Sequence, residues 1–298
     1  TTQGIINISD YSNPTNVFDT SNTTFTVRGA INVTQPTNPG IVLTYDRGVS
    51  AYNITWDKAG AITNVTISYA TDAENFTNPI VSNLSATSSP YSWTVPNSIG
   101  TNLKVKVRDS DNAAVNDTSD NPFSIKGGML VTRPNGAEDF LKGTTQSINW
   151  TPVGTYSGTQ VNIYSSIDNG SNWTIIGSAS AGADNVSQSW SWTPVPDNIT
   201  DTAKIKVATN TTDTINVSDT SNSTFRIKGN ILITEPNGGD VWYVNDTNRQ
   251  IKWTATGTVT PVKIEYSTDN GGNWSILTNN YTGIDGSNIY NWTPTPDR

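Results

Sequence analysis

Apolar and polar residues alternate at every second position in short runs along the whole chain. Tyr52, Ile54 and Trp56 are interleaved with Asn53 and Thr55; Val65, Ile67 and Tyr69 with Thr66 and Ser68; Val262, Ile264 and Tyr266 with Lys263 and Glu265. A period of two places each apolar set on one face of a strand. The runs are rich in β-branched and aromatic residues, and Gly, Pro, Asn and Asp punctuate them about every ten residues, as turns between short strands do. No stretch carries an apolar stripe at i, i+3, i+4 long enough for a helix. The pattern predicts an all-β chain.

The runs recur. INVTQP from Ile31, MLVTRPNG from Met129 and ILITEPNGG from Ile231 begin alike, 98 and 102 residues apart. Each is followed by a strand ending in tryptophan (Trp56, Trp150, Trp253), then by VTISYATD, VNIYSSID or VKIEYSTD, then by SWTVP, SWTPVP or NWTPTP. Two closing landmarks follow in the first two copies: LKVKV from Leu103 with DTSDNPFSIKG from Asp117, and AKIKV from Ala203 with DTSNSTFRIKG from Asp219. The third copy lacks both. Their counterparts open the chain, as GIINI from Gly4 and DTSNTTFTVRG from Asp19. Residues 231–298 and 1–29 together make 97 residues, close to the other two periods.

A repeat of about 100 residues with about seven short strands fits a β-sandwich of the immunoglobulin or fibronectin-III kind. The expected organisation is therefore three tandem seven-stranded sandwiches, one of them split. Residues 30–128 and 129–230 form whole sandwiches, 231–298 supplies the first five strands of the third, and 1–29 the last two. The buried core would rest on Trp, Ile, Val and Tyr alone. Five strands without the last two expose an apolar face and an unpaired edge, an aggregation hazard; a lone hairpin is marginal in water. Each piece requires a partner. Head-to-tail pairing with the next copy is heterologous, does not close, and builds a filament. Strand donation between separate chains and continuation in one long chain both give this fibre. The junctions Arg28-Gly29, Lys126-Gly127 and Lys228-Gly229 leave little linker, so neighbouring sandwiches are expected to be held stiffly.

Composition narrows the chemistry. The 298 residues include no Cys, no His and one Met. Disulfides, thiol nucleophiles, imidazole bases and Cys- or His-ligated metals are excluded. Charged residues make up 14% of the chain and the formal net charge is −8, so clustered cations for a nucleic-acid phosphate backbone are lacking. No apolar run approaches the roughly 20 residues of a membrane span, and no signal peptide opens the sequence, as in a mature region or a piece of a longer protein. Nothing singles out two carboxylates for hydrolysis, and no catalytic residue, cofactor site or metal site is assigned. Ser, Thr and Asn number 30, 46 and 36.

Three motifs stand out. The first is S-x-D-x-G-x-x-W, at Ser166, Asp168, Gly170 and Trp173 and again at Ser267, Asp269, Gly271 and Trp274, with a degraded form from Ala70 through Asp72 to Phe76. It resembles the Asp-box of sialidases and related repeat proteins. The resemblance implies a hairpin device in which Asp accepts turn amides and the aromatic packs below, away from any active site. The second is the Asn-x-Ser/Thr sequon, with x other than Pro. It occurs 20 times: at Asn7, Asn22, Asn32, Asn53, Asn64, Asn75, Asn83, Asn116, Asn149, Asn169, Asn172, Asn185, Asn198, Asn210, Asn216, Asn222, Asn245, Asn273, Asn280 and Asn291. Each is a candidate carrier of a covalent N-glycan, although strand alternation also places Asn and Thr together on outward faces. The third is a set of acidic clusters: Asp109, Asp111, Asp117 and Asp120, then Asp213 and Asp219, then Asp10 and Asp19. These suit Asx turns or, alternatively, Ca²⁺ at sandwich junctions.

The stretch from Ile231 to Leu277 carries the broadest resemblance, through Pro236, Trp242, Ile251, Trp253, Val262, Ile264 and Tyr266. It is similar to immunoglobulin-like repeats of large prokaryotic surface proteins. It also resembles the N-terminal domain of the fungal Ser-Thr-rich, GPI-anchored cell-wall family. The second copy departs with Phe140 at the Trp242 position, and the first departs further, with Leu43 or Tyr45 nearby. The resemblance implies a non-enzymatic structural role outside the cell or at its surface, with no catalytic residue to carry over. The expected function is a structural subunit or repeat of an extracellular, N-glycosylated filament whose partner is itself. The alternative is a non-catalytic carbohydrate-binding or adhesive region of a larger secreted protein, in which aromatics such as Trp242 and Tyr243 stack on sugars.

Overall fold

The computed structural model describes residues 2–213 and 215–292. Positions 293–296 of the last landmark, NWTPTP, lie outside them. Every regular element among the described residues is a strand, so the chain is all-β. Among the described residues no helix is long and apolar enough to cross a membrane. The chain divides into two compact units. One gathers Thr1–Gly128, Val153–Tyr156 and Thr211–Val217; the other holds Met129–Pro152, Ser157–Asn210 and Ser218–Arg298.

The first unit begins with four short strands, β1 (Thr2–Gly4), β2 (Asn7–Ser9), β3 (Phe18–Thr20) and β4 (Phe25–Val27). Nine more follow: β5 (Ala30–Gln35), β6 (Val42–Thr44), β7 (Ala51–Ala59), β8 (Asn64–Ala70), β9 (Asn78–Ser85), β10 (Tyr91–Thr94), β11 (Gly100–Asp109), β12 (Asn116–Thr118) and β13 (Phe123–Lys126). They form two sheets. One runs β10-β7-β5, the other β6-β13-β11-β8-β9, with β12 added to β11. Only β6 on β13 is parallel; the remaining pairs are antiparallel. The alternation read from the sequence is the alternation of the core. Ile54, Val65, Ile67, Leu103, Val105, Val107 and Ile125 are fully buried, and Trp56 spans the interior with its Nε1 donating to Ala86 O at 3.2 Å. That bond satisfies the one polar atom of the anchor.

The same plan recurs in β14 (Gly128–Arg133), β15 (Asp139–Leu141), β16 (Gln146–Val153), β17 (Gln160–Ser166), β18 (Thr174–Ser180), β19 (Gln188–Trp192), β20 (Thr200–Thr209), β21 (Ser218–Thr220) and β22 (Phe225–Lys228). The sheets run β14-β16-β19 and β15-β22-β20-β17-β18, with β21 on β20. Trp150 is fully buried and its Nε1 donates to Ala181 O at 3.1 Å. Both sandwiches therefore have the seven expected strands plus two of three residues, β6 and β12 or β15 and β21. Pieces that short carry too few alternations to be seen in a pattern of period two.

Five strands end the chain: β23 (Asn230–Glu235), β24 (Arg249–Thr256), β25 (Val262–Tyr266), β26 (Ser275–Tyr281) and β27 (Gly286–Trp292). They form a sheet β23-β24-β27 and a pair β25-β26. These match β5-β7-β10 and β8-β9. Counterparts of β11, β12 and β13 are missing from this set. Within the second unit, Asp197 accepts Thr258 N at 2.9 Å and Thr258 Oγ1 at 2.7 Å, and Lys142 pairs with Asp285. A Cβ on Gly229 would lie 2.5 Å from Thr256 O. This close approach explains a glycine directly after Lys228.

Candidate functional site

Two surfaces, one in each unit, concentrate exposed apolar side chains. On the second unit, β25 has β26 on one edge and, among the described residues, no strand on the other. In the whole sandwiches that other edge is covered, with Val107 opposite Ile67 and Val207 opposite Ile163. The inner face beside it is open. Ile233 is 51% exposed, whereas its counterparts Val33 and Val131 are each 3% exposed. A mostly apolar cavity of about 290 Å³ lies there, lined by Ile231, Ile233, Ile251, Trp253, Val262, Ile264 and Trp274, with Lys263 and Glu265 also on its wall.

A cluster of aromatic rings gathers around Trp292. Trp292 lies 5.0 Å from Tyr266 and 5.7 Å from Trp242. In the first sandwich Trp93 makes the equivalent contact with Tyr69 at 5.3 Å and an edge-to-face contact with Phe123 at 6.2 Å. In the second, Phe140 lies 6.4 Å from Trp192 and 4.9 Å from Phe225. The third group thus holds every ring of the arrangement except the phenylalanine of the last strand. Val241–Tyr243, the counterpart of β15, forms no strand. The strand that would pair with it is the same missing one.

On the first unit, β1 pairs with β4 and β2 with β3. Their registers repeat those of the whole sandwiches at Phe25 and Asp19, although β1 on β4 lacks the bulge that sets Ile125 opposite Gly100 and Ile227 opposite Thr200. Phe25 stands opposite Gly4 as Phe123 does opposite Leu103 and Phe225 opposite Ala203. Asp19 stands opposite Ile8 as Asp117 does opposite Val107 and Asp219 opposite Val207. Ile6 N donates to Ser21 Oγ at 3.1 Å, as Val105 N does to Ser119 Oγ and Ile205 N to Ser221 Oγ. The two strands expected in residues 1–29 are four short pieces. The break falls at Ile5 and Ile6, where β11 is held straight by its ladder to β8. The apolar side chains face solvent: Ile8 is 73% exposed, whereas Val107 and Val207 are fully buried.

Four of the clustered acidic residues serve the backbone. Asp117 Oδ2 accepts Val33 N at 2.7 Å and Asp219 Oδ2 accepts Val131 N at 2.7 Å, so β12 is tied to β5 and β21 to β14. Asp109 accepts Asp111 N at 3.0 Å and Asp10 accepts Ser12 N at 2.8 Å in Asx turns. Among the described residues no group of three or more carboxylates is arranged to hold a metal ion. The strand-tying role of Asp117 and Asp219 escaped the sequence reading, although the thrice-repeated DTS tripeptide was its signal.

The S-x-D-x-G-x-x-W residues come together in tight loops. Ser166 Oγ donates to Asp168 Oδ1 at 2.7 Å and accepts Gly170 N at 2.8 Å; Asp168 accepts Asn172 N at 2.9 Å and Asn172 Nδ2 at 2.6 Å. Ser267, Asp269, Gly271 and Asn273 repeat the set. Gly170 and Gly271 have φ of 91° and 88°, the left-handed region that favours glycine. The Asn172 amide, the Ser166 hydroxyl and the Asn172 side chain hold the Asp168 carboxyl down at about 2, and the corresponding groups hold Asp269 at about 2. Asp72 reaches about 2 through the Asn75 amide, its side chain and the Glu74 amide. Trp173 lies under the Lys206 ammonium, 4.6 Å from its ring centre, whereas Trp274 is exposed.

Of the 20 sequon asparagines, 18 are exposed; Asn64 and Asn149 are half-buried. Asn149 Oδ1 is buried without a hydrogen-bond partner. Tyr243 is exposed, and Trp242 is half-buried against Trp292.

No protein-family model matches the chain, and no curated protein matches it. Among solved structures, it is similar to the fibronectin(III)-like modules of CbhA from Clostridium thermocellum, at 16% identity over 66% of this chain and 92% of that one, with a TM-score of 0.22. It is also similar to a chain in a complex of Dpr2 Ig1-Ig2 with DIP-Theta Ig1-Ig3, at 9% identity over 89% and 90% of the two chains, with a TM-score of 0.27. A marsupial T cell receptor matches at 9% identity over 88% and 95%, with a TM-score of 0.28.

Proposed function

We propose that the chain is a structural repeat of an extracellular, N-glycosylated filament, built head to tail by completion of a split sandwich. The observation that carries this reading is the complementarity of the two surfaces. β23–β27 lack the counterparts of β11–β13, and β1–β4 carry those counterparts with Phe25 and Asp19 in the same pairing. Tandem sandwiches of this class suit a structural or adhesive repeat region. Trp274 lines the open cavity and Trp242 packs against Trp292, which favours assembly over a sugar-stacking platform. Eighteen exposed sequons would coat the fibre in glycan, which supplies solubility where surface charge is sparse.

The test is electron microscopy and sedimentation of the purified 298-residue chain. Linear fibres with a three-sandwich repeat are expected. A monodisperse monomer with both ends folded overturns the reading. For native fibres, a denaturing gel separates strand donation, a band near 32.1 kDa plus glycan, from one continuous repeat chain of far greater mass.

A further inference from the structure

We propose that the free edge of β25 and the open core beside it bind residues 2–27 of a second copy in one defined register, locked by one ring and one carboxylate. This rests on the completion reading and adds what determines its specificity. The register follows from the two whole sandwiches, which agree with each other. Tyr69 pairs with Val105 and Ile67 with Val107; Ser165 pairs with Ile205 and Ile163 with Val207. Transferred to the open edge, Ile6 of the second copy stands opposite Tyr266, Asn7 opposite Glu265, Ile8 opposite Ile264 and Ser9 opposite Lys263.

The ring is Phe25. Its counterparts Phe123 and Phe225 are buried against Trp93 and Phe140 respectively. The equivalent seat lies between Trp242 and Trp292. The carboxylate is Asp19. Its counterparts each accept one amide of the opening strand, from Val33 and Val131, and the equivalent amide is Ile233 N. A one-residue slip would turn Ile6 and Ile8 outward and would also misplace Phe25 and Asp19. The edge is therefore selective for this register, and an arbitrary strand that lacks both groups does not satisfy it.

Because the chain has no cysteine, engineered thiols report the register directly. Single variants are mixed in pairs, assembled and oxidised. Residues directly opposite have Cα atoms about 4.5–5.5 Å apart, within disulfide reach. Diagonal positions are about 7–8 Å apart, beyond it. Asn7→Cys with Glu265→Cys, and Ser9→Cys with Lys263→Cys, are expected to give a cross-linked dimer on a non-reducing gel. Ser9→Cys with Glu265→Cys, and Asn7→Cys with Lys263→Cys, are expected to give at least tenfold less. Fibres that cross-link through the shifted pairs, or through none, overturn the register and leave the completion reading standing. Absence of fibres in the unmodified chain overturns both.

Discussion

Asp117 Oδ2 lies 2.7 Å from the backbone nitrogen of Val33, although 84 residues separate the two in sequence. Val33 is almost completely buried, so its amide has no water to turn to. Asp117→Ala is expected to cost about 1–3 kcal/mol, the penalty for leaving a buried donor unsatisfied. Asp111→Ala, at an exposed turn, is expected to stay within about 0.5 kcal/mol. Urea denaturation followed by tryptophan fluorescence measures both, and equal effects would contradict the strand-tying role.

The loops around Asp168 and Asp269 set an acid limit. Each folded-state pKa of about 2 lies below the ordinary carboxylate value. A depressed pKa stabilises the folded form above the unfolded pKa, and that contribution is lost as pH falls through the folded one. Both loops are thus expected to stay closed from neutrality to about pH 4 and to loosen toward pH 2. Carboxyl-carbon NMR titration reads this directly. A midpoint near 4 for Asp168 would mean that its amide bonds are not formed in solution.

Fold class was legible because burial at Ile54, Trp56, Val65 and Ile67 reports itself as alternation within a few residues. The turn set by Ser166, Asp168, Gly170 and Asn172 was legible for the same reason, since the hydrogen bonds among these four span at most four residues, whereas the bonds of Ile167 and Asn169 to Thr200 and Thr202 left no local trace. Other features are long-range. The parallel pairing of β6 with β13 brings Leu43 beside Ile125, and three residues of strand leave no local trace. Asp117 looked like a turn or calcium carboxylate because its acceptor role depends on a strand a whole sandwich-length earlier. The gap at Ile5 and Ile6 was invisible because their apolar character reads as strand, while strand geometry there depends on a neighbouring edge.

Glycan occupancy should follow exposure. Asn64 and Asn149 project from β8 and β16 and are half-buried. A glycan on Asn149 would have to leave beside a side-chain oxygen that is already shut off from solvent. Glycopeptide mass spectrometry of the native protein is expected to find these two sites unmodified, with occupancy drawn from the other eighteen. Full occupancy at Asn149 would contradict the packing of β16 against β19.

Phe25→Ala separates assembly from folding. The ring is exposed in the single chain, and its seat is proposed on another copy. Truncating a buried Phe costs about 3 kcal/mol, or roughly a 100-fold rise in the concentration needed for assembly. The thermal unfolding of the two whole sandwiches should not move, because Phe25 belongs to neither core. Light scattering and calorimetry test the two halves of this prediction. Unchanged assembly would place the ring elsewhere.

Assembly should also convert coil to strand at Val241–Tyr243. In the second sandwich the counterpart residues Asp139–Leu141 form β15 only by pairing in parallel with β22, with Phe140 opposite Ile227. The third set lacks that partner, and Val241 and Tyr243 are exposed. Once Val27 of a second copy takes the place of Ile227, the Trp242 amide gains a ladder acceptor and its ring is drawn into the closed core, whereas the Tyr243 amide already donates to Asp246 Oδ2 at 2.8 Å. Hydrogen exchange is therefore expected to slow by at least tenfold at Trp242 on polymerisation, while β7 and β16, already paired on both edges, change little. Protection that rises uniformly along the chain would indicate nonspecific clustering, and protection confined to residues 2–9 would mean that the strand docks without completing the sheet.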